Sequence, residues 1–153
     1  ADAIGAEVIY LDDFVRPERE WRGMIAPEFP FAYIRYAAFL EAATTLIQTG
    51  ECRYFPYDWR TGETSSEPRV LRATGPVIVE GVSALHPELA PLYDLRFWVE
   101  SDAASVLDAS LQRGVGDWAK EWRELFLPSV ELYLATDPQA RADFRVRGRG
   151  AAG

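Results

Sequence analysis

At 153 residues, with 48% hydrophobic and 13% aromatic side chains and a formal net charge of -8, the chain has the composition of one globular domain that buries roughly two thirds of its unfolded surface. The acidic balance excludes the Lys/Arg-driven capture of nucleic acid, and no apolar run reaches the about 18 to 20 residues of a membrane span or forms a secretion signal, so a cytoplasmic protein without nucleic-acid or membrane partners is expected. The single cysteine, Cys52, excludes an internal disulfide and a cysteine-rich zinc site.

In chain order, EVIYLDDF (7 to 14) is a short run of β-formers after Gly5 that ends in two acids, as expected of a buried parallel strand. The next periodic segment, 31 to 50, places Ile34, Phe39, Ala42, Ala43 and Leu46 along one face and stops at Gly50, which predicts a helix packed on a sheet. ECRYFPYDW (51 to 59) and PRVLRA (68 to 73) flank the turn-rich RTGETSSE and predict a hairpin or two short strands around an exposed loop. PVIVEG (76 to 81) repeats the first strand's signature, LRFWVE (95 to 100) supplies a third strand, and DFRVRG (143 to 148) is a candidate late or edge strand. Asp102 is placed to cap a helix from Ala103 to Gln112, and a longer helix starting near Asp117 carries Trp118, Trp122, Leu125, Phe126, Val130 and Tyr133 as a core-facing stripe. Strands alternating with helices define an α/β class with a mainly parallel sheet in a single domain, 1 to 153, with 148 to 153 as a flexible tail.

In such a sheet, ligands collect beyond the carboxyl ends of the strands, where Asp12, Asp13 and Glu80 stand. A carboxylate there can hold a cation, and another can accept the proton of an attacking hydroxyl. The competing reading is that Asp12 and Asp13 cap the following segment and Glu80 caps a turn; two strand ends with the same signature favour a site. Tyr57, Asp58 and Trp59 follow Pro56 beside Tyr54 and Phe55 and offer flat surfaces and polar tips next to a loop, although aromatic residues at this density also build cores. His86 is the only histidine and is expected on the surface or in a loop, and the charges from 117 to 124 are expected to form a solvated helix face.

Together these segments resemble the uridine kinase and phosphoribulokinase group of P-loop kinases. YLDDF resembles the group's second-strand motif, YFPYDW its P-x-Y-D-F element, VIVEGVSAL its V-x-x-E-G-I element, PLYDLRFWVESDA the strand that leads into its lid helix, and ARADFRV its closing A-D-x-x-V run. The resemblance implies a three-layer P-loop NTPase-like fold and an ATP-dependent kinase acting on a small-molecule hydroxyl acceptor, with Mg²⁺. It places Asp12 as the base or hydroxyl-orienting residue, Asp13, Tyr57, Asp58 and Trp59 beside the acceptor, and Glu80 in support of the metal. The acceptor class stays open among a nucleoside, a sugar, a vitamin precursor and another small metabolite.

Two features depart from the group. The sequence contains no G-x-x-x-x-G-K-[ST] loop to cradle phosphates, and residues 1 to 6 resemble the end of the helix that follows that loop. The lid segment SDAASVLDASLQRG offers only Arg113, with Arg123 nearby, where the group places several arginines; Val106, Ala109 and Ser110 stand at the other positions. The chain as written is therefore expected to be a poor kinase, with a catalytically degenerate kinase-like binding or scaffold protein as the alternative. An open central sheet edge would favour a homo-oligomer.

Overall fold

The computed structural model describes residues 1–23, 25–112 and 118–148. Strand β1 (Glu7–Tyr10) pairs in parallel with β6 (Val77–Glu80), in the register Ile9 to Val79 and Tyr10 to Glu80. Strand β7 (Phe97–Glu100) pairs in parallel with β8 (Phe144–Arg147). Between them in sequence, β2 (Glu51–Tyr54) and β5 (Arg69–Arg72) form an antiparallel hairpin, and β3 (Tyr57–Asp58) pairs with β4 (Glu63–Thr64) at its tip. The mixed α/β class holds, and among the described residues the parallel strands form two separate pairs.

The first strand is shorter than its sequence suggests. It stops at Tyr10, and Leu11–Phe14 curls into a 3₁₀ turn that buries Leu11 and Phe14 completely. Two apolar side chains spaced three apart can be buried together only if the backbone turns between them, which swings Asp12 outward. Helix α1 (Glu18–Trp21) follows, and it buries Trp21.

Helix α2 (Tyr36–Thr49) begins five residues later than position 31, and its buried residues Phe39, Ala42, Ala43 and Leu46 keep i, i+3, i+4, i+7 spacing. It ends where Gly50 adopts φ 78°, with the Gly50 amide donating to the Leu46 carbonyl at 2.9 Å. Helix α3 (Ala103–Gln112) is capped as expected, by the Ser105 amide donating to Asp102 Oδ2 at 2.8 Å. A last helical stretch runs through α4 (Ala119–Glu121), a π-turn (Trp122–Phe126) and α5 (Leu127–Leu134). Asp117, the expected start of this stretch, lies outside the described residues.

The core is markedly aromatic. Phe14 stacks on Tyr54 at 4.7 Å and meets Phe39 edge-on at 5.3 Å, while Trp21 meets Trp118 edge-on at 5.4 Å and lies tilted against Phe126 at 5.5 Å. Two side chains are more buried than the sequence suggests. His86 is in a loop, yet it is buried against Phe29 and Tyr36, because the segment after β6 folds back onto the core. Glu121 is likewise buried and accepts from Arg22 Nε at 3.2 Å, so the 117 to 124 segment is not simply a solvated face. Gly148, where the tail is expected to start, donates its amide to the Glu100 carbonyl at 2.7 Å; residues 149–153 lie outside the described residues.

Gly81, at φ 151°, ends β6 under Leu11, and a Cβ there would lie 2.3 Å from the Leu11 Cβ. Gly81→Ala is expected to destabilise the fold by about 2 kcal/mol or more, read from urea unfolding midpoints at constant m-value. Burial lowers the His86 pKa below the ordinary 6.5, aided by Arg141 and opposed by Glu88. The unfolded chain therefore binds the proton more tightly, so His86 leaves stability intact above pH 6.5 and removes it as pH falls through 6.5 towards the folded value. His86→Gln is expected to flatten the difference in thermal midpoint between about pH 7.5 and pH 5.5, measured by circular dichroism.

Candidate functional site

The parallel pairing of β1 with β6 sets Tyr10 beside Glu80, so the 3₁₀ turn bearing Asp12 and Asp13 and the end of β6 bearing Glu80 share one sheet rim. Asp12 and Glu80 are both exposed there. The Asp12 charge also reaches the buried Tyr33 hydroxyl, whose pKa is raised first by burial, then by Tyr36 and Asp12. Thus the rim presents carboxylates outward over a wall of buried aromatic side chains.

Asp13 faces the other way. Its Oδ2 accepts from the Tyr54 hydroxyl at 2.7 Å and from Arg69 at 2.9 Å, and its side chain is 14% exposed. Tyr54 and Arg69 stand opposite one another in the β2–β5 hairpin, both on the strand faces turned towards the core. Arg35 completes the clamp by donating to the Asp13 carbonyl at 3.0 Å and to the Phe55 carbonyl at 2.8 Å. Burial, followed by the Asp13 hydrogen bond, pushes the Tyr54 hydroxyl pKa well above its ordinary range. The Asp13 carboxylate therefore braces the hairpin against the turn.

Tyr57, Asp58 and Trp59 lie together on the β3 hairpin tip, which packs against the same turn. Tyr57 is buried and donates to Glu18 Oε1 at 3.3 Å; burial first, and then Glu18, raises its pKa. Asp58 accepts from the Arg60 amide at 2.9 Å, a bond that lowers the carboxyl pKa, and it pairs with the Arg60 side chain at 3.6 Å. Trp59 is 45% exposed, meets Tyr57 edge-on at 5.0 Å and tilts over Trp118 at 5.7 Å, leaving a flat ring open to solvent. Arg123 is exposed and donates to Ala119 one turn back on its own helix; Arg113 lies outside the described residues.

The structure thus groups Asp12, Asp13 and Glu80 at one rim and Tyr57, Asp58 and Trp59 on the adjoining hairpin. Sequence reasoning missed Arg35, Tyr54 and Arg69 as the support of that rim, and Glu18, which links Tyr57 to Arg22. A usable signal was present in PRVLRA: Arg69 shares strand parity with the buried Leu71, and a cation on an inward face requires an acid partner. Among the described residues, no three His, Cys, Asp or Glu side chains are grouped to hold a metal ion, and no helix is long and apolar enough to cross a membrane.

No protein-family model matches the sequence, and no curated protein matches it. Solved structures do match the fold. A structure titled as a possible uridine kinase from Bacillus stearothermophilus superposes with a TM-score of 0.68 at 16% identity, over 95% of this chain and 73% of that one. The fold is that of P-loop kinases. Phosphoribulokinase from Rhodobacter spheroides gives a TM-score of 0.66 at 15% identity, over 99% of this chain and 63% of that one.

The clamp on Asp13 yields a direct expectation. Asp13→Ala, which leaves the buried Tyr54 hydroxyl without its acceptor, should cost about 1 to 3 kcal/mol, and Tyr54→Phe about 1 to 2 kcal/mol. Chemical denaturation of both single variants and the double variant checks this; coupling of the two losses in the double-mutant cycle marks the shared bond.

Proposed function

We propose that this chain forms the acceptor-binding part of a uridine kinase-like small-molecule phosphotransferase, and that its ligand carries a hydroxyl group presented to Asp12. One observation carries the reading: Asp12 and Glu80 stand exposed at the same rim of paired parallel strands, while the neighbouring Asp13 is consumed in bracing that rim. The match to uridine kinase and phosphoribulokinase structures supports the kinase class. In this reading the Asp12 carboxylate accepts a hydrogen bond from the acceptor hydroxyl, the first requirement for general-base activation, and the exposed Trp59 ring offers a stacking face nearby.

ATP and Mg²⁺ are the cofactors the kinase class would use. The described residues do not make a full site for them. Asp12 and Glu80 are two acids where no third metal-ligating side chain joins, and the sequence has no glycine-rich phosphate cradle. The residues present account for binding and orienting a hydroxyl. A second reading is a kinase-like protein that binds the small molecule without transferring phosphate to it.

Calorimetric titration of the chain with a panel of nucleosides and sugars tests the reading. A hydroxylated ligand should bind, and Asp12→Ala should weaken it roughly tenfold or more, the loss of one charged hydrogen bond, with near-UV circular dichroism checking that the variant is folded. Equal affinity in Asp12→Ala would remove Asp12 from the site. Phosphate transfer to the bound ligand, assayed with Mg·ATP, separates the catalytic reading from the binding-protein reading.

A further inference from the structure

Helix α2 packs along β2, and the side chains between them are small: Ala38 and Ala42, one helical turn apart, and Cys52 on the strand. Protein interiors normally close such a gap, but a cleft of about 260 Å³ remains between helix and hairpin, with Phe14 and Tyr54 also in its wall. Its size, just below the usual range of clefts for drug-sized ligands, suits a molecule of about ten heavy atoms.

The charges at this cleft are not balanced. Arg35 is half-buried and lies over the Phe14 ring, 5.7 Å from its centroid. Its two hydrogen bonds both leave from Nη2 and both end on neutral carbonyls, those of Asp13 and Phe55, while Nε is buried with no hydrogen-bond partner. Among the described residues no acid forms an ion pair with Arg35; the nearby Asp13 carboxylate is taken by Tyr54 and Arg69. Burial, and then Arg16, lowers the guanidinium pKa. Arg53 also lines the cleft, exposed and without an ion pair among the described residues, and Glu41 is the acid of the lining. A partly desolvated cation without a counter-ion is costly, and a chain with 24 acids has no shortage of partners for it.

We propose that the cleft between α2 and β2 is a second small-molecule site, separate from the Asp12 and Glu80 rim, whose ligand is an organic anion with a flat apolar body. The anionic head pairs with Arg35 in the field of Arg53, and the body lies over Ala38 and Ala42 against Phe14 and Tyr54. A guanidinium serves a carboxylate and a phosphate monoester alike, so the head group is an oxyanion of either kind. A neutral ligand would leave the Arg35 charge uncompensated, and a cationic one would add a third positive charge against a single acid. The site does not depend on the acceptor reading, although Arg35 and Tyr54 also hold Asp13 in place.

Titration of the whole chain with benzoate, phenyl phosphate, benzyl alcohol and benzylamine, followed by two-dimensional amide NMR, tests this. At least one of the two anions should bind with a dissociation constant on the order of 1 mM and shift the Ala38, Ala42 and Cys52 amides; the tighter one names the head group. The neutral and cationic probes should bind at least about tenfold more weakly. Arg35→Gln should weaken the anion about tenfold and Arg53→Ala about threefold, whereas Glu41→Gln should tighten it. Thr45→Trp, which fills the cleft from an exposed position of α2, should abolish binding. Near-UV circular dichroism checks that each variant is folded, and the exposed positions 41, 45 and 53 carry the test if Arg35→Gln does not fold. The absence of a saturable shift up to about 10 mM anion overturns the proposal. So do equal affinities for the neutral and anionic probes, or an anion affinity that Glu41→Gln lowers. Shifts confined to Asp12, Trp59 and Glu80 would place the anion at the acceptor rim and reject the cleft.

Discussion

The Asp13 carboxylate holds the candidate site in its shape. It is largely out of water at the junction of the turn after β1 and the β2–β5 hairpin, where Tyr54 and Arg69 both donate to one of its oxygens. A carboxylate in that position requires such donors, because burying an unpaired charge costs several kcal/mol. Its presence therefore fixes the distance between turn and hairpin. The Phe14–Tyr54 stack and the Arg35 bonds to the Asp13 and Phe55 carbonyls reinforce the same joint.

What that joint positions is its neighbour in sequence. Within a 3₁₀ turn, adjacent side chains diverge, so anchoring Asp13 inward leaves Asp12 outward at the rim, beside the end of β6. Gly81 lets β6 end close under Leu11, where a larger residue would force the two strand ends apart. The two adjacent acids of YLDDF consequently stand differently, Asp13 buried in the joint and Asp12 exposed at the rim. A similar division runs along the hairpin, where Tyr57 is tied to Glu18, Asp58 is engaged with Arg60, and Trp59 keeps an open face.

The elements whose apolar spacing repeats were legible before the structure. Phe39, Ala42, Ala43 and Leu46 name the buried face of α2 in the sequence alone, because burial of one face leaves a periodic trace, and the β-former runs of VIVEG and LRFWVE, each closed by an acid, mark β6 and β7. Boundaries were less legible. The first strand ends at Tyr10, since the burial of Leu11 and Phe14 against residues distant in sequence overrides their strand propensity. The polar assignments were the least legible. Arg22 finds Glu121 and Arg69 finds Asp13, and His86 lies against Phe29, across separations that no local pattern encodes.

The sequence by itself determined the class of the protein: α/β, acidic, with acids closing two hydrophobic strands and an aromatic segment before a loop. Those are properties of composition and near-neighbour spacing. Only the tertiary structure decided which acid is exposed and which is buried in the joint, and which apolar strand face is left bare on β7 and β8. Both depend on whether a side chain finds its donor, or its apolar cover, on an element tens of residues away, and a chain brings such groups together only by folding.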